Sequence, residues 1–108
     1  MKAFVLLFII SLVGFYPGVR AAEMGNAELG FQVASQICAE CHSISPEGLS
    51  SPNSDAPKFK EIANSPGLTK LALYVWLRSP HPTMPNLALE IQDEEDLFAY
   101  ILSLKDKD

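Results

Sequence analysis

The sequence predicts an all-α chain, and three observations carry that expectation. Apolar residues recur at intervals of three and four in several stretches, as one face of a helix requires. No run alternates with the period of two that marks a half-buried strand. Prolines and glycines collect between the periodic stretches, where turns and loops are needed.

The first helix is expected over Ala27 to Ile37, with Asn26 as its N-cap. Ala27, Gly30, Phe31, Ala34 and Ile37 share its apolar face. Gly30 costs a helix about 1 kcal/mol relative to alanine, so close approach of another helix explains it better than flexibility. Ser43 to Asp55 carries two prolines, a glycine and several serines without periodicity and reads as a loop. After Ala56-Pro57-Lys58-Phe59 a short helix is expected over Lys60 to Asn64, halted by Ser65-Pro66-Gly67.

Thr69 is placed to cap a third helix over Lys70 to Arg78, with Leu73, Trp76 and Leu77 on one face. Ser79 to Asn86 holds three prolines in eight residues, which excludes a helix because proline lacks the amide donor and restricts its predecessor. A last helix is expected from Asp93, with Leu97, Tyr100, Ile101 and Leu104 as its apolar stripe. Asp93, Glu94, Glu95 and Asp96 then fall in its first turn and read as a solvated acidic cap, with Asp93 and Asp96 a weak variant of the capping box.

The amino terminus has a different character. A basic Met1-Lys2 precedes the apolar run Ala3 to Tyr16, Pro17-Gly18 ends it, and Val19-Arg20-Ala21 suits a cleavage site. This is the layout of a secretory signal peptide over residues 1–21, which leaves residues 22–108 as one domain. The run is shorter than the roughly 20 residues of a membrane span, although an uncleaved anchor is the alternative. Without Lys2 and Arg20, 6 of the 8 basic residues remain against 13 acidic ones, a net charge of −7. Such a surface repels nucleic acid and anionic lipid. A domain of this size commonly leans on a metal or a cross-link to complete its core.

Cys38-Ala39-Glu40-Cys41-His42 dominates the chemistry. C-x-x-C-H is the pattern for covalent haem attachment: two thiols join two vinyl groups, and the next residue lies beneath the iron as an axial ligand. Three other readings stand beside it. They are a thioredoxin-like redox pair, which belongs after a strand, half of a zinc site, which needs four ligands, and a short disulfide. Neither the disulfide nor ordinary packing requires His42. For a second axial ligand, Met84 lies in the proline-braced loop, and His81 is the competing candidate. Met24 lies in the tail that cleavage would leave.

Taken together, these features resemble the small bacterial class I c-type cytochromes over about Asn26 to Lys105. The resemblance rests on C-x-x-C-H, on Gly30 eight residues before Cys38, on Ala56-Pro57-Lys58-Phe59, on the helix running up to Pro80, on Met84-Pro85 and on the terminal Leu97-x-x-Tyr100. It implies the class I cytochrome c fold, three to five helices wrapped around one covalently attached haem c. It further implies thioethers from Cys38 and Cys41, iron ligation by His42 and Met84, a Pro57 carbonyl that orients His42, and Trp76 in the haem pocket. Ala34 stands where many members carry an aromatic residue, so Phe31 or Ile37 is expected to fill that space. Trp76 replaces a common tyrosine, and an indole donates a hydrogen bond but accepts none.

The function implied is a periplasmic electron carrier, not an enzyme, that exchanges single electrons with membrane or periplasmic oxidoreductases and is expected to be a monomer. The alternatives are a haem-containing subunit of a larger dehydrogenase or oxidase, a haem sensor or enzyme with a labile sixth ligand, and a thiol-redox or structural module without haem. Glu40 and Glu47 flank the motif, so a basic or mainly apolar docking surface is expected of a partner.

Overall fold

A computed structural model describes residues 25–108 together with Gly14. The expected leader over 1–21, Gly14 apart, and Met24 lie outside the described residues. The described chain is all-α, with four helices, α1 (Ala27–Ile37), α2 (Phe59–Ala63), α3 (Lys70–Arg78) and α4 (Ile91–Ser103), and no strand. None of the described helices is long and apolar enough to cross a membrane.

α4 is the element that the others pack against, and its contact with α1 is the most extensive. Leu97, Phe98, Tyr100, Ile101 and Leu104 are all buried. Ala34 and Cys38 from α1 and its cap, Phe59 and Ala63 from α2, and Leu73 from α3 complete the core around them. α1 and α4 come together because Gly30 has no side chain: a methyl there would overlap the Asp96 carbonyl and lie 2.8 Å from Tyr100 Cβ. The glycine of the α1 face is therefore a crossing point, as its cost within a helix implies. Phe31 packs edge-on against Tyr100 with ring centroids 5.3 Å apart.

The helix caps follow from sequence chemistry. Asn26 accepts hydrogen bonds from the Glu28 and Leu29 amides, and Thr69 accepts one from the Ala72 amide, so each satisfies amides that a helix start leaves unpaired. α2 starts at Phe59, one residue before its expected position, and Asn64 is its C-cap.

The acidic run corrects the sequence-based expectation. α4 begins at Ile91 after Glu90, two residues before Asp93, so Glu94 and Asp96 turn inward instead of forming a solvated cap. Each is only 3% exposed. Asp96 accepts hydrogen bonds from the Asn26 amide at 2.8 Å and from Gln92 Nε2 at 3.0 Å. It thus anchors the start of α1 and does not close a capping box with Asp93. Glu94 is paired with Arg78 of α3, whose Nη2 lies 2.6 Å from Oε2. Each buried carboxylate has its partner, which is the condition for leaving a charge out of water.

Candidate functional site

The site is built at the end of α1. Cys38 is the C-cap, and its amide donates to the Ala34 carbonyl. The Cys41 and His42 amides then both donate to the Cys38 carbonyl, at 3.2 and 2.9 Å. This tight turn puts both cysteines and the histidine within one short bend. Both thiols are free. Cys38 is buried and Cys41 exposed. Burial pushes the Cys38 thiol up to about 11 from an ordinary 9.0, so it is a neutral thiol at physiological pH.

His42 is oriented from the following loop. Its Nδ1 lies 2.7 Å from the Pro57 carbonyl oxygen. A carbonyl only accepts, so Nδ1 carries the proton, and a neutral imidazole then keeps its lone pair on Nε2. Pro57 is held in place by its neighbours. Phe59 donates from its amide to the Ser43 carbonyl at 2.9 Å, and Asn53 donates to the Cys41 carbonyl at 3.1 Å. The Ser43 amide donates to Ser51 Oγ at 3.0 Å. Tyr100 reaches the same loop with its hydroxyl on the Ile44 carbonyl. Burial raises the Tyr100 hydroxyl above its ordinary pKa, with the Glu47 charge adding to the effect. The imidazole packs beside the buried Phe59 ring, with centroids 5.4 Å apart.

The remaining candidates lie on α3 and the loop after it. Met84 is half-buried in the segment between α3 and α4. His81 packs against Trp76 with ring centroids 4.2 Å apart, so the competing imidazole is engaged by the indole. Trp76 is 62% exposed and turns away from the buried Leu73 face, contrary to the shared face expected for the two. Leu71 and Val75 of α3 and Leu49 of the first loop are exposed with it. Among the described residues, no hydrogen bond links residues 80–89 to the Cys38–His42 turn. Cys38, Cys41, His42 and Pro57 therefore form one cluster, while Trp76, His81 and Met84 belong to a second segment.

The cluster fits a covalently held haem on three counts. It offers two free thiols three residues apart, a histidine whose outer nitrogen is available for a metal, and an apolar flank in the buried Phe59 ring beside that imidazole. It fits the alternatives less well. The helix α1 precedes Cys38 where a thioredoxin-like pair would need a strand. Among the described residues, no three His, Cys, Asp or Glu side chains form a metal-binding group, so a closed zinc site lacks its further ligands there. No protein-family model, curated protein or solved structure matches the chain.

Read as a helix cap, the acidic run does not mark Glu94 and Asp96 as buried groups, and the amino-acid pattern gives Phe98 no place in the core stripe and Arg78 no partner. Among the described residues Phe98 is the largest fully buried side chain, and it packs edge-on against Tyr74 with centroids 4.7 Å apart. Helical spacing carried the signal: Glu94 is three before Leu97 and seven before Ile101, on the stripe that faces the core.

Proposed function

We propose that the chain is a small class I c-type cytochrome, exported to the periplasm, that carries single electrons between oxidoreductases. The observation that supports this best is the hydrogen bond from His42 Nδ1 to the Pro57 carbonyl. An imidazole that donates from one nitrogen to a backbone carbonyl is fixed in tautomer and ring orientation, with greater basicity at the other nitrogen. Neither a disulfide nor a thiol-redox pair has use for that arrangement beside a C-x-x-C turn.

On this reading Cys38 and Cys41 would hold haem c through thioethers, and His42 Nε2 and the Met84 sulfur would bind its iron. When bound, the haem iron accepts and returns one electron at a time. Pro57 keeps His42 in register, and the hydrogen-bonded Cys38–His42 turn keeps both thiols and the imidazole in one short bend. Leu49, Leu71, Val75 and Trp76 are exposed apolar side chains that a bound group would be expected to cover in part. Histidine and methionine together in an apolar setting raise the reduction potential. His81 is the one imidazole besides His42 in the sequence, and it packs against Trp76 rather than standing free as an acid or base. We therefore read it as a carrier and not as an enzyme.

The test is the exported protein itself. Its mass should include one haem that denaturing extraction does not remove, and Cys38→Ala with Cys41→Ala should abolish that attachment. The ferric spectrum should be low-spin with a methionine–iron charge-transfer band that Met84→Ala removes. A mature protein without added haem mass would sink the proposal. A high-spin ferric centre that binds carbon monoxide rapidly when reduced would instead make it a sensor or an enzyme. If the band survives in Met84→Ala, a different methionine supplies the sulfur; a low-spin wild-type spectrum without the band points instead to His81, which His81→Ala tests.

A further inference from the structure

The segment that carries Met84 is held at its base, and Leu89 near its end packs against the core. Residues 79–90 separate α3 from α4, and Arg78 is the last residue of α3, while Glu94 lies in the first turn of α4. The guanidinium grips the carboxylate with two nitrogens, Nη2 on Oε2 at 2.6 Å and Nε toward Oε1 at 3.4 Å. Two parallel donors fix direction as well as distance. The Arg78 guanidinium also lies over the Tyr74 ring, 4.9 Å from its centroid, which holds the arginine stem in place. One turn inside the loop, His81 rests on Trp76.

A second tie joins the same two helices at their other side. Tyr74 donates its hydroxyl to Glu95, and Lys70 pairs with the same carboxylate. Glu95 thus explains how α3 stays against α4. Glu94 does something different, because its side chain is 5% exposed, its guanidinium partner is the residue at which the loop departs, and among the described residues no other side chain pairs with it. A carboxylate kept out of water for packing alone is a poor choice, since an apolar residue of like volume serves as well or better.

We infer that Arg78 and Glu94 form a clasp that closes the base of the 79–90 loop and positions Met84 for its role as second axial ligand. The inference rests on the proposed reading of Met84. Arg78 and Glu94 are positioning residues; neither reaches the iron. With the clasp closed, the loop has fixed end points and few conformations in which Met84 leaves its place. With the clasp open, the last turn of α3 at Arg78 can fray and the loop gains reach, so the fraction of molecules with Met84 displaced rises.

The experiment uses the exported holoprotein with Glu94→Gln and with the apolar pair Arg78→Met and Glu94→Leu, which retains the packing if the single variant folds poorly. Tyr74→Phe, which loosens the Glu95 tie, is the comparison. Two quantities are read: the rate at which ferric protein binds added imidazole, and the rate of limited proteolysis at Leu87 and Leu89, which needs no haem signal. Opening the clasp should raise both by about tenfold, the change that a shift of about 1.4 kcal/mol in the loop equilibrium produces. Tyr74→Phe should leave both within about twofold. Equal rates in the clasp variants and in Tyr74→Phe, or unchanged rates in the apolar pair, would show that Arg78 and Glu94 only join the helices. A wild-type protein that lacks covalent haem, or whose charge-transfer band survives Met84→Ala, overturns the reading of Met84 itself and the clasp's role with it.

Discussion

Gly30 and Asp96 meet backbone to backbone: the α1 glycine lies so near the Asp96 carbonyl that an added methyl group would overlap it. The contact converts a residue that weakens an isolated helix into the one that lets two helices cross. Gly25 makes a similar approach just before α1, where a methyl would fall 2.6 Å from the Asp96 amide nitrogen. The same turn of α4 therefore receives both.

Gly30→Ala is the direct check. In an isolated helix the change would stabilise by about 1 kcal/mol. Here α4 must shift away, and overpacking against backbone should leave the domain about 2–3 kcal/mol less stable. Denaturant midpoints with an unchanged slope measure this. A neutral or more stable variant would mean that α1 and α4 do not approach as described.

Asp96 gives a second expected outcome. Asp96→Ala leaves the Asn26 amide and Gln92 without their acceptor and should cost about 2 kcal/mol. Asp96→Asn keeps one carbonyl oxygen and should recover part of that loss. If both variants unfold at the wild-type midpoint, the carboxylate does not anchor α1.

The buried thiol predicts a pH dependence for the chain before any haem is attached. Cys38 is held at about 11 against an ordinary 9.0. Below pH 9 both folded and unfolded chains keep the proton, and the stability is fully present. Between pH 9 and pH 11 only the unfolded chain releases it, so stability falls as pH rises, by on the order of 2 kcal/mol across that window. Cys38→Ala should flatten the profile there. A profile that falls equally steeply in the variant would assign the loss to other groups.

On the proposed reading as an electron carrier, charge around the Cys38–His42 turn bears on partners. Glu40 and Glu47 are exposed on either side of Cys41-His42. Electron transfer to a basic partner should slow as salt rises, because the Debye length shortens to about 8 Å near 0.15 M. Glu40→Lys with Glu47→Lys should weaken or invert that dependence. A flat salt profile in both proteins would leave these acids incidental to docking.

Much of the fold was legible because local chemistry agreed with tertiary need. Asn26 and Thr69 mark their helix starts, and the prolines from Pro80 to Pro85 hold the chain out of helix between α3 and α4. The Cys38–His42 cluster was legible for the same reason, since its spacing is local. The hydrogen bond from His42 to Pro57 spans 15 residues and was reached only through resemblance. Glu94 and Asp96 were misread because acidic residues near a helix start usually face water, and the start itself was placed two residues late. Their partners, Arg78 and the Asn26 amide, are 16 and 70 residues away. No short window of sequence contains such pairs.

The hydrogen bond between Asn26 and Asp96 also sets how the chain assembles. Its two ends must find each other across a span whose closure costs about 4 kcal/mol in entropy, from the logarithmic growth of that cost with length. Once α1 and α4 have paired, everything between them hangs from a joined stem. Gly67 sits midway in an exposed turn, with φ of +74° and nothing near its Cα hydrogen side. A chain cleaved there yields one piece ending soon after α2 and another beginning before α3, each with one half of the α1–α4 pair. The two pieces retain the means to reunite, and the nick would turn the folding of one molecule into a concentration-dependent association of two.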